Sequence, residues 1–233
     1  MYSDDHNAAP VNPLPPVVVL FSLVITGVEL AMQALERGFA RQIFGMRSRL
    51  EFLNEFAFYD PVVSWMLENA TYPAAQLMRF VTYPFIHYNF GHALFAVVLI
   101  LAIGKMVGEA FSQLAFVIVF FAATLVGSLS YALLLDTRVP LVGAYPAAYG
   151  LIGALTFALW VRARIEGTNP ARAFSLIAFL MGIQLFFKLV FGGGNDWIAD
   201  LAGFVTGFAL SFVLAPDGGA RMVQLLNLIR KRG

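Results

Sequence analysis

Long apolar stretches alternate with short polar segments along this chain. Five of them cover about residues 17–35, 87–106, 114–135, 146–161 and 174–190, and a sixth follows the glycine-rich loop at 192–196. A helix needs roughly 20 mainly apolar residues to cross the hydrocarbon of a bilayer. The pattern therefore predicts an all-α membrane protein in which six transmembrane helices pack as a bundle.

The segment from residue 36 to residue 81 mixes arginines with phenylalanines and contains a short apolar run. It is too charged to cross the bilayer and too apolar for a solvated linker, a balance that is typical of helices lying in the interface. At the two ends of the chain, residues 1–16 are polar and proline-rich, and residues 216–233 are basic. We expect a disordered N-terminal tail, a transmembrane domain over residues 17–215 and a basic C-terminal tail.

Small residues recur at every fourth position in the fourth and sixth apolar stretches. They are Gly150, Ala154 and Ala158 in the fourth, and Ala199, Gly203, Gly207 and Ser211 in the sixth. Such stripes allow two membrane helices to approach closely, so the fourth and sixth helices are predicted to pack face to face. Asp200 lies three residues before Gly203 and seven before Gly207, which places it on this packed face.

One carboxyl group, that of Glu29, lies within the first apolar stretch. A carboxylate at that depth is costly unless it faces protein or water. Two arrangements remain open: the side chain points into the bundle, or it lies near the interface and reaches water.

Composition excludes several functional classes. Hydrophobic residues make up 60% of the 233 residues, charged residues 12%, and the formal net charge is +1. Nucleic-acid binding requires a basic face, which a few scattered arginines do not supply. The chain has no cysteine, so disulfides and thiolate metal sites are excluded, and we expect neither a metal nor a cofactor.

Two short runs carry a family resemblance. Residues 143–154 read GAYPAAYGLIGA, and residues 199–204 read ADLAGF. They resemble the rhomboid intramembrane serine proteases, in which the first run is similar to GASGAVYGLIGA and the second to AHLGGF. The resemblance implies a six-helix rhomboid-like bundle with a half-embedded first loop and a short fourth span that begins at the floor of a cavity. It places Tyr145 at the position of the family's serine and Asp200 at that of its catalytic histidine.

A third run, from Arg79 to Ala96, is similar to the rhomboid segment with two histidines five residues apart and an asparagine four residues later. Here these positions hold His87, His92 and Ala96. The resemblance implies that residues 92 and 96 occupy the oxyanion-stabilising positions, and only His92 keeps a donor. The retained tyrosine of the family is Tyr149. Further candidate binding residues are Arg79, His87 and Glu29, although a purely structural role for the two histidines stays open.

The changed residues are unsuited to the family's reaction. A serine–histidine dyad works because an imidazole with a pKa of about 6.5 can take and return a proton at neutral pH. The oxygen of Tyr145 lies at the far end of a rigid ring, and Asp200 is a feeble base when ionised and no base when burial neutralises it. We expect the dyad to be lost and Tyr145 to donate a hydrogen bond to Asp200.

Three functions follow from this interpretation. The first is a rhomboid-like pseudoprotease that binds transmembrane segments of client proteins without cutting them. The others are a structural or assembly subunit of a larger membrane complex and an active endopeptidase with atypical residues. All three place the chain in a lipid bilayer. Arginines at 162, 164 and 172 and in the C-terminal tail favour cytoplasmic termini under the positive-inside rule, and we expect a bacterial inner membrane.

Overall fold

The computed structural model describes residues 13–39, 45, 48–192 and 194–216. Within these residues the α-helices are α1 (Pro16–Glu36), α2 (Arg49–Phe56), α3 (Asp60–Glu68), α4 (Ala74–Leu77), α5 (Arg79–Thr82), α6 (Phe90–Ala110), α7 (Gln113–Leu134), α8 (Tyr145–Ile165), α9 (Ser175–Phe191) and α10 (Trp197–Leu214). Short 3-10 helices cover Tyr83–Phe85 and Pro170–Phe174. The predicted tails lie almost entirely outside the described residues.

Six helices in the described part of the chain are long and apolar enough to cross a membrane. They are α1, α6, α7, α8, α9 and α10, with α9 extended by the 3-10 turn before it. The predicted all-helical bundle with six spans is therefore confirmed. The second span starts at Phe90, later than its apolar run, because the Asn89 side chain accepts a hydrogen bond from the His92 amide and caps the helix.

The fourth span is longer than the sequence predicts. Helix α8 has 21 residues, as many as α1 and α6. Its last turn continues beyond the apolar run, and Arg162 and Glu166 form an exposed ion pair of 2.7 Å one turn apart at this end. A sequence window that counts only apolar residues ends the helix too early.

Helix α8 forms the centre of the bundle. Every residue from Pro146 to Phe157 is buried. Its glycine face packs against α10 so closely that a Cβ atom on Gly207 would lie 1.8 Å from the carbonyl oxygen of Gly150. A Cβ atom on Gly203 would lie 2.1 Å from the carbonyl oxygen of Pro146. The predicted packing of the fourth helix against the sixth is confirmed.

The first loop is held against the bundle by its backbone and by one arginine. Phe58 and Leu141 exchange two backbone hydrogen bonds, of 3.2 and 2.9 Å, which join this loop to the segment before α8. Arg49 forms two hydrogen bonds of 2.8 Å with the carboxylate of Glu29, and a third of 2.7 Å with Glu36. Glu29 is 3% exposed, so its side chain points into the protein, where these hydrogen bonds raise the pKa of Arg49.

Helix α9 contrasts with α8. Its only buried residue is Ile177, and the phenylalanines at 179, 186, 187 and 191 are exposed. An apolar helix with so little contact to its own protein presents its surface to lipid or to another apolar partner. The second half of α9 therefore packs loosely against the bundle, next to the start of α10.

Candidate functional site

The turn that leads into α8 is built around Gly143. Its amide donates a 2.9 Å hydrogen bond to the carbonyl oxygen of Tyr83, and its φ of +96° is unfavourable for residues with a side chain. A Cβ atom at this position would also lie 2.9 Å from Cε1 of His92. Glycine is thus required for conformation and for space, and the turn delivers Tyr145 to the first position of α8.

Two histidines pack behind this turn. Nε2 of His87 accepts a hydrogen bond of 3.4 Å from the Ala144 amide, and Nδ1 of His92 accepts one of 3.4 Å from the Tyr88 amide. The two rings meet edge to face with centroids 5.3 Å apart. Burial lowers the pKa of His87 to about 3, so this residue is neutral and supports the turn.

Tyr145 lies flat against His92. The two rings stack with centroids 4.6 Å apart and an angle of 20°, and the phenol donates a 3.1 Å hydrogen bond to the backbone carbonyl of His92. The prediction that Tyr145 donates a hydrogen bond to Asp200 is therefore wrong. The rigid ring carries its hydroxyl toward the first turn of α6, where the carbonyl oxygen of His92, which has two lone pairs, accepts it.

Asp200 has a different partner, the side chain of Gln184 in α9. The Gln184 amide nitrogen donates a 2.7 Å hydrogen bond to Oδ2 of Asp200. The amide oxygen of Gln184 in turn accepts a 3.3 Å hydrogen bond from Tyr149. Because an amide has both a donor and an acceptor, it links α8, α9 and α10 through three side chains.

Gln184 is one of the site residues that sequence reasoning missed. It is a polar side chain inside the apolar fifth stretch, and polar residues in transmembrane helices commonly mark interhelical contacts or functional sites. That signal was available, but its partners lie 35 and 16 residues away in the chain. Only the folded structure brings these three residues together.

A cavity of about 240 Å³ brings the predicted site residues together. Its lining is drawn from α6, the turn before α8, and the facing sides of α8, α9 and α10: His92, Leu141, Val142, Tyr145, Pro146, Gln184, Asp196 and Asp200. Residues 92, 145 and 200 thus share one cavity. Asp196 is a second carboxyl group that the sequence analysis did not select. The described residues contain no group of three or more histidine, aspartate or glutamate side chains that could hold a metal ion.

The remaining predicted site residues lie elsewhere. Ala96 is fully buried in the apolar core and offers no hydrogen-bond donor. Arg79 donates to the carbonyl of Ala57 at 2.8 Å and to Gln76 at 2.6 Å, contacts that fix the first loop. Neither Arg79 nor the Glu29 paired with Arg49 lines this cavity. Their participation in ligand binding stays a prediction.

Comparison with known proteins agrees with this architecture. A family model described as the Rhomboid domain matches residues 74–217, more than half of the chain. Rhomboid-like protease 1 of Toxoplasma gondii is 29% identical over 154 residues, which cover 62% of this chain and 50% of that protein. The chain therefore spans about half the length of this curated relative. The family match includes all three runs that form the cavity and the α8–α10 contact, and with six apolar helices around that cavity this chain belongs to the rhomboid family.

Proposed function

We propose that this chain is a proteolytically inactive rhomboid that binds transmembrane segments of other proteins in the cavity between α8, α9 and α10. One observation favours this function over the other two. The residue at the position of the family's serine is a tyrosine, and its hydroxyl is bonded to the carbonyl of His92. A cavity lies beside this tyrosine, while the hydroxyl that would have to attack a peptide bond is engaged within the protein.

Nucleophilic catalysis needs a hydroxyl within hydrogen-bond reach of a base. The imidazole of His92 lies parallel to the phenol ring of Tyr145, against its face, and its Nδ1 accepts from the Tyr88 amide. The carboxyl group of Asp200 is bonded to Gln184. Neither group forms a hydrogen bond with the tyrosine hydroxyl, so the described residues of the cavity provide no pair of nucleophile and base.

The surroundings of the cavity support a membrane-embedded ligand. A second, more open cavity of about 440 Å³ lies between α9 and the start of α10 and shares Gln184 and Asp196 with the first. Its lining includes Phe187, Phe191 and Trp197. A ligand entering by this route would contact these apolar side chains together with Lys188, Gln184 and Asp196, which line the same cavity. A transmembrane helix from another protein has this chemistry.

A cleavage assay in proteoliposomes tests the inactivity. The reconstituted chain is incubated with a transmembrane peptide carrying a fluorophore and a quencher, and in parallel with a fluorophosphonate probe for reactive serines. We expect no cleavage and no labelling, together with recovery of the peptide by photo-crosslinking. Cleavage by the unaltered chain that disappears in Tyr145→Phe would contradict the proposal and favour the endopeptidase.

A reconstructed site provides the matched positive control. In the variant Tyr145→Ser, Ala96→Asn, Asp200→His, the residues that the resemblance implies for catalysis are restored on the same backbone. If the cavity has kept the rhomboid shape, we expect this variant to gain fluorophosphonate labelling. Purification of the unaltered chain with one stoichiometric protein, and without peptide crosslinking, would instead favour an assembly subunit.

We further propose that both termini face the cytoplasm of a bacterial inner membrane. Arg162 and Arg164 lie in the last turn of α8, and Arg172 follows in the next 3-10 helix, which puts three arginines at one end of the bundle. Because the chain has no cysteine, single-cysteine variants report topology without background. We expect an impermeant maleimide to label Asp136→Cys in intact spheroplasts and Thr168→Cys only after permeabilisation. The reverse pattern would invert the topology.

A further inference from the structure

Two carboxyl groups face the same cavity from one side of α10. Asp196 and Asp200 are one helical turn apart, and both line the cavity of about 240 Å³. Oδ2 of Asp200 accepts the hydrogen bond from Gln184, but its Oδ1 is buried and accepts none from the described residues. Oδ1 of Asp196 is likewise buried without a hydrogen bond from the described part of the chain.

Buried carboxyl oxygens without a hydrogen-bond donor are unusual in a protein interior. Asp200 is 1% exposed, and a buried carboxyl oxygen without a donor is costly, more so beside a second carboxyl group. Burial raises the pKa of Asp196 even though nearby Lys188 acts in the opposite direction, so its surroundings disfavour the charged form. A donor that carries positive charge would remove this cost at both oxygens.

No arginine or lysine side chain lines this cavity among the described residues. The nearest candidate in sequence, Lys188, lines the neighbouring open cavity instead. Its ammonium group is hydrogen-bonded to Asn195 and lies 5.4 Å from the centroid of the Trp197 ring. The polar groups that face the two carboxyls are His92, Tyr145 and Gln184, and the phenol and amide already have partners. The cavity thus presents acceptors without a matching cation.

We propose that the cavity accepts one basic side chain, a lysine ammonium or an arginine guanidinium, from the transmembrane segment that it binds. This inference rests on the proposed function and specifies its ligand. A basic residue inside a transmembrane helix is itself costly in lipid and needs an anionic partner. Pairing it with Asp196 and Asp200 satisfies both molecules at once and leaves the Gln184 bridge intact.

A set of matched peptides tests this preference. Single-span peptides that differ only in one central residue, lysine, methionine or glutamate, are titrated against the full chain in proteoliposomes by energy transfer. We expect the lysine peptide to bind at least about tenfold more tightly than the methionine peptide, the effect of one charge-assisted hydrogen bond. The glutamate peptide should bind more weakly than either.

Variants of this chain assign the preference to the two carboxyls. Asp200→Asn keeps the shape and the acceptor for Gln184, and we expect it to abolish the advantage of the lysine peptide. Asp196→Asn should reduce it. The matched control is Asp136→Asn, an exposed carboxylate in the loop before α8, which should leave the advantage unchanged. Lys188→Gln removes a nearby competing charge and should increase it.

Each outcome has a distinct meaning. Equal binding of all three peptides, or an advantage for lysine that persists in both Asp196→Asn and Asp200→Asn, would overturn the inference while leaving client binding in place. Loss of the lysine advantage on adding sodium, but not choline, would assign the cavity to a free monovalent cation and also overturn it. Failure of every peptide to bind would defeat the proposed function itself. Circular dichroism and thermal unfolding of each variant separate these results from misfolding.

Discussion

The contact between α8 and α10 makes the sharpest prediction about stability. In the variant Gly207→Ala, the added Cβ atom would lie 1.8 Å from the carbonyl oxygen of Gly150, whereas ordinary contacts begin at 3.4 Å. The two helices would therefore have to separate by about 1.6 Å. Its nearest neighbours are backbone atoms of Gly150, so no side-chain rotation can relieve the clash.

Overpacking of this kind costs about 1 to 3 kcal/mol in protein interiors. Because both sides of the contact are backbone, we expect the upper end, a loss of about 3 kcal/mol in the free energy of unfolding. The matched control is Gly182→Ala in α9, where a Cβ atom meets nothing within 4 Å. There the higher helix propensity of alanine should stabilise the protein by up to about 1 kcal/mol.

Reversible unfolding in mixed micelles measures both variants. The close packing of α8 and α10 predicts a difference of about 3 to 4 kcal/mol between them. A difference below about 1 kcal/mol would refute the reasoning, since it would mean that the helices are not in backbone contact at Gly207. Gly27→Ala in α1, which also meets nothing within 4 Å, gives a second control in a different helix.

Three other substitutions test the polar contacts. Glu29→Gln removes the buried charge that pairs with Arg49, and we expect the free energy of unfolding to fall by about 3 kcal/mol. This is the lower end of the usual loss for a broken buried ion pair, because Glu36 remains as a second partner of Arg49. His87 has a pKa of about 3 in the folded state and about 6.5 when unfolded, so the unfolded state binds the proton more readily and stability falls as pH falls below about 6.5. At about pH 5 the loss should approach 2 kcal/mol, and His87→Gln should reduce this dependence in unfolding measured across pH. Tyr149→Phe removes the hydrogen bond to Gln184 and should cost about 1 kcal/mol.

Each of these predictions has its own contrary result. Glu166→Gln, whose ion pair with Arg162 is largely exposed, is the control for Glu29→Gln and should have little effect on stability. Equal effects of the two substitutions would show that the pair at Glu29 is not buried. An unchanged pH dependence in His87→Gln would assign the proton to another group. An unaltered stability in Tyr149→Phe would mean that its hydroxyl is satisfied elsewhere.

The parts of this fold that follow from local periodicity could be predicted. Apolar stretches of bilayer length give the spans, and small residues four apart give the α8–α10 contact, because both signals lie within single helices. The orientation of Glu29 could not be decided in the same way. Its partner Arg49 is 20 residues away, in a loop helix whose position depends on the folded bundle.

The site shows the same limit. The family resemblance predicts that residues 92, 145 and 200 share one site, but it does not predict their hydrogen bonds. Tyr145 was expected to reach Asp200, yet stacking on His92 turns its hydroxyl to a backbone carbonyl. The bond to Asp200 comes from Gln184, because an amide on the facing helix supplies both a donor and an acceptor. Side-chain length and ring orientation decide such contacts, and neither can be read from spacing.

The hydrogen bonds also help to distinguish a polar cluster that only joins helices from one that binds a ligand. If the polar cluster only joined helices, its buried polar atoms would be expected to pair with one another, as in protein interiors generally. Tyr145, Tyr149 and Gln184 conform to this expectation. The Oδ1 atoms of Asp196 and Asp200 accept no hydrogen bond from the described residues, and both side chains line the cavity. An unsatisfied acceptor pair is costly to the isolated protein, and the proposed basic partner would supply the donor that the described residues do not.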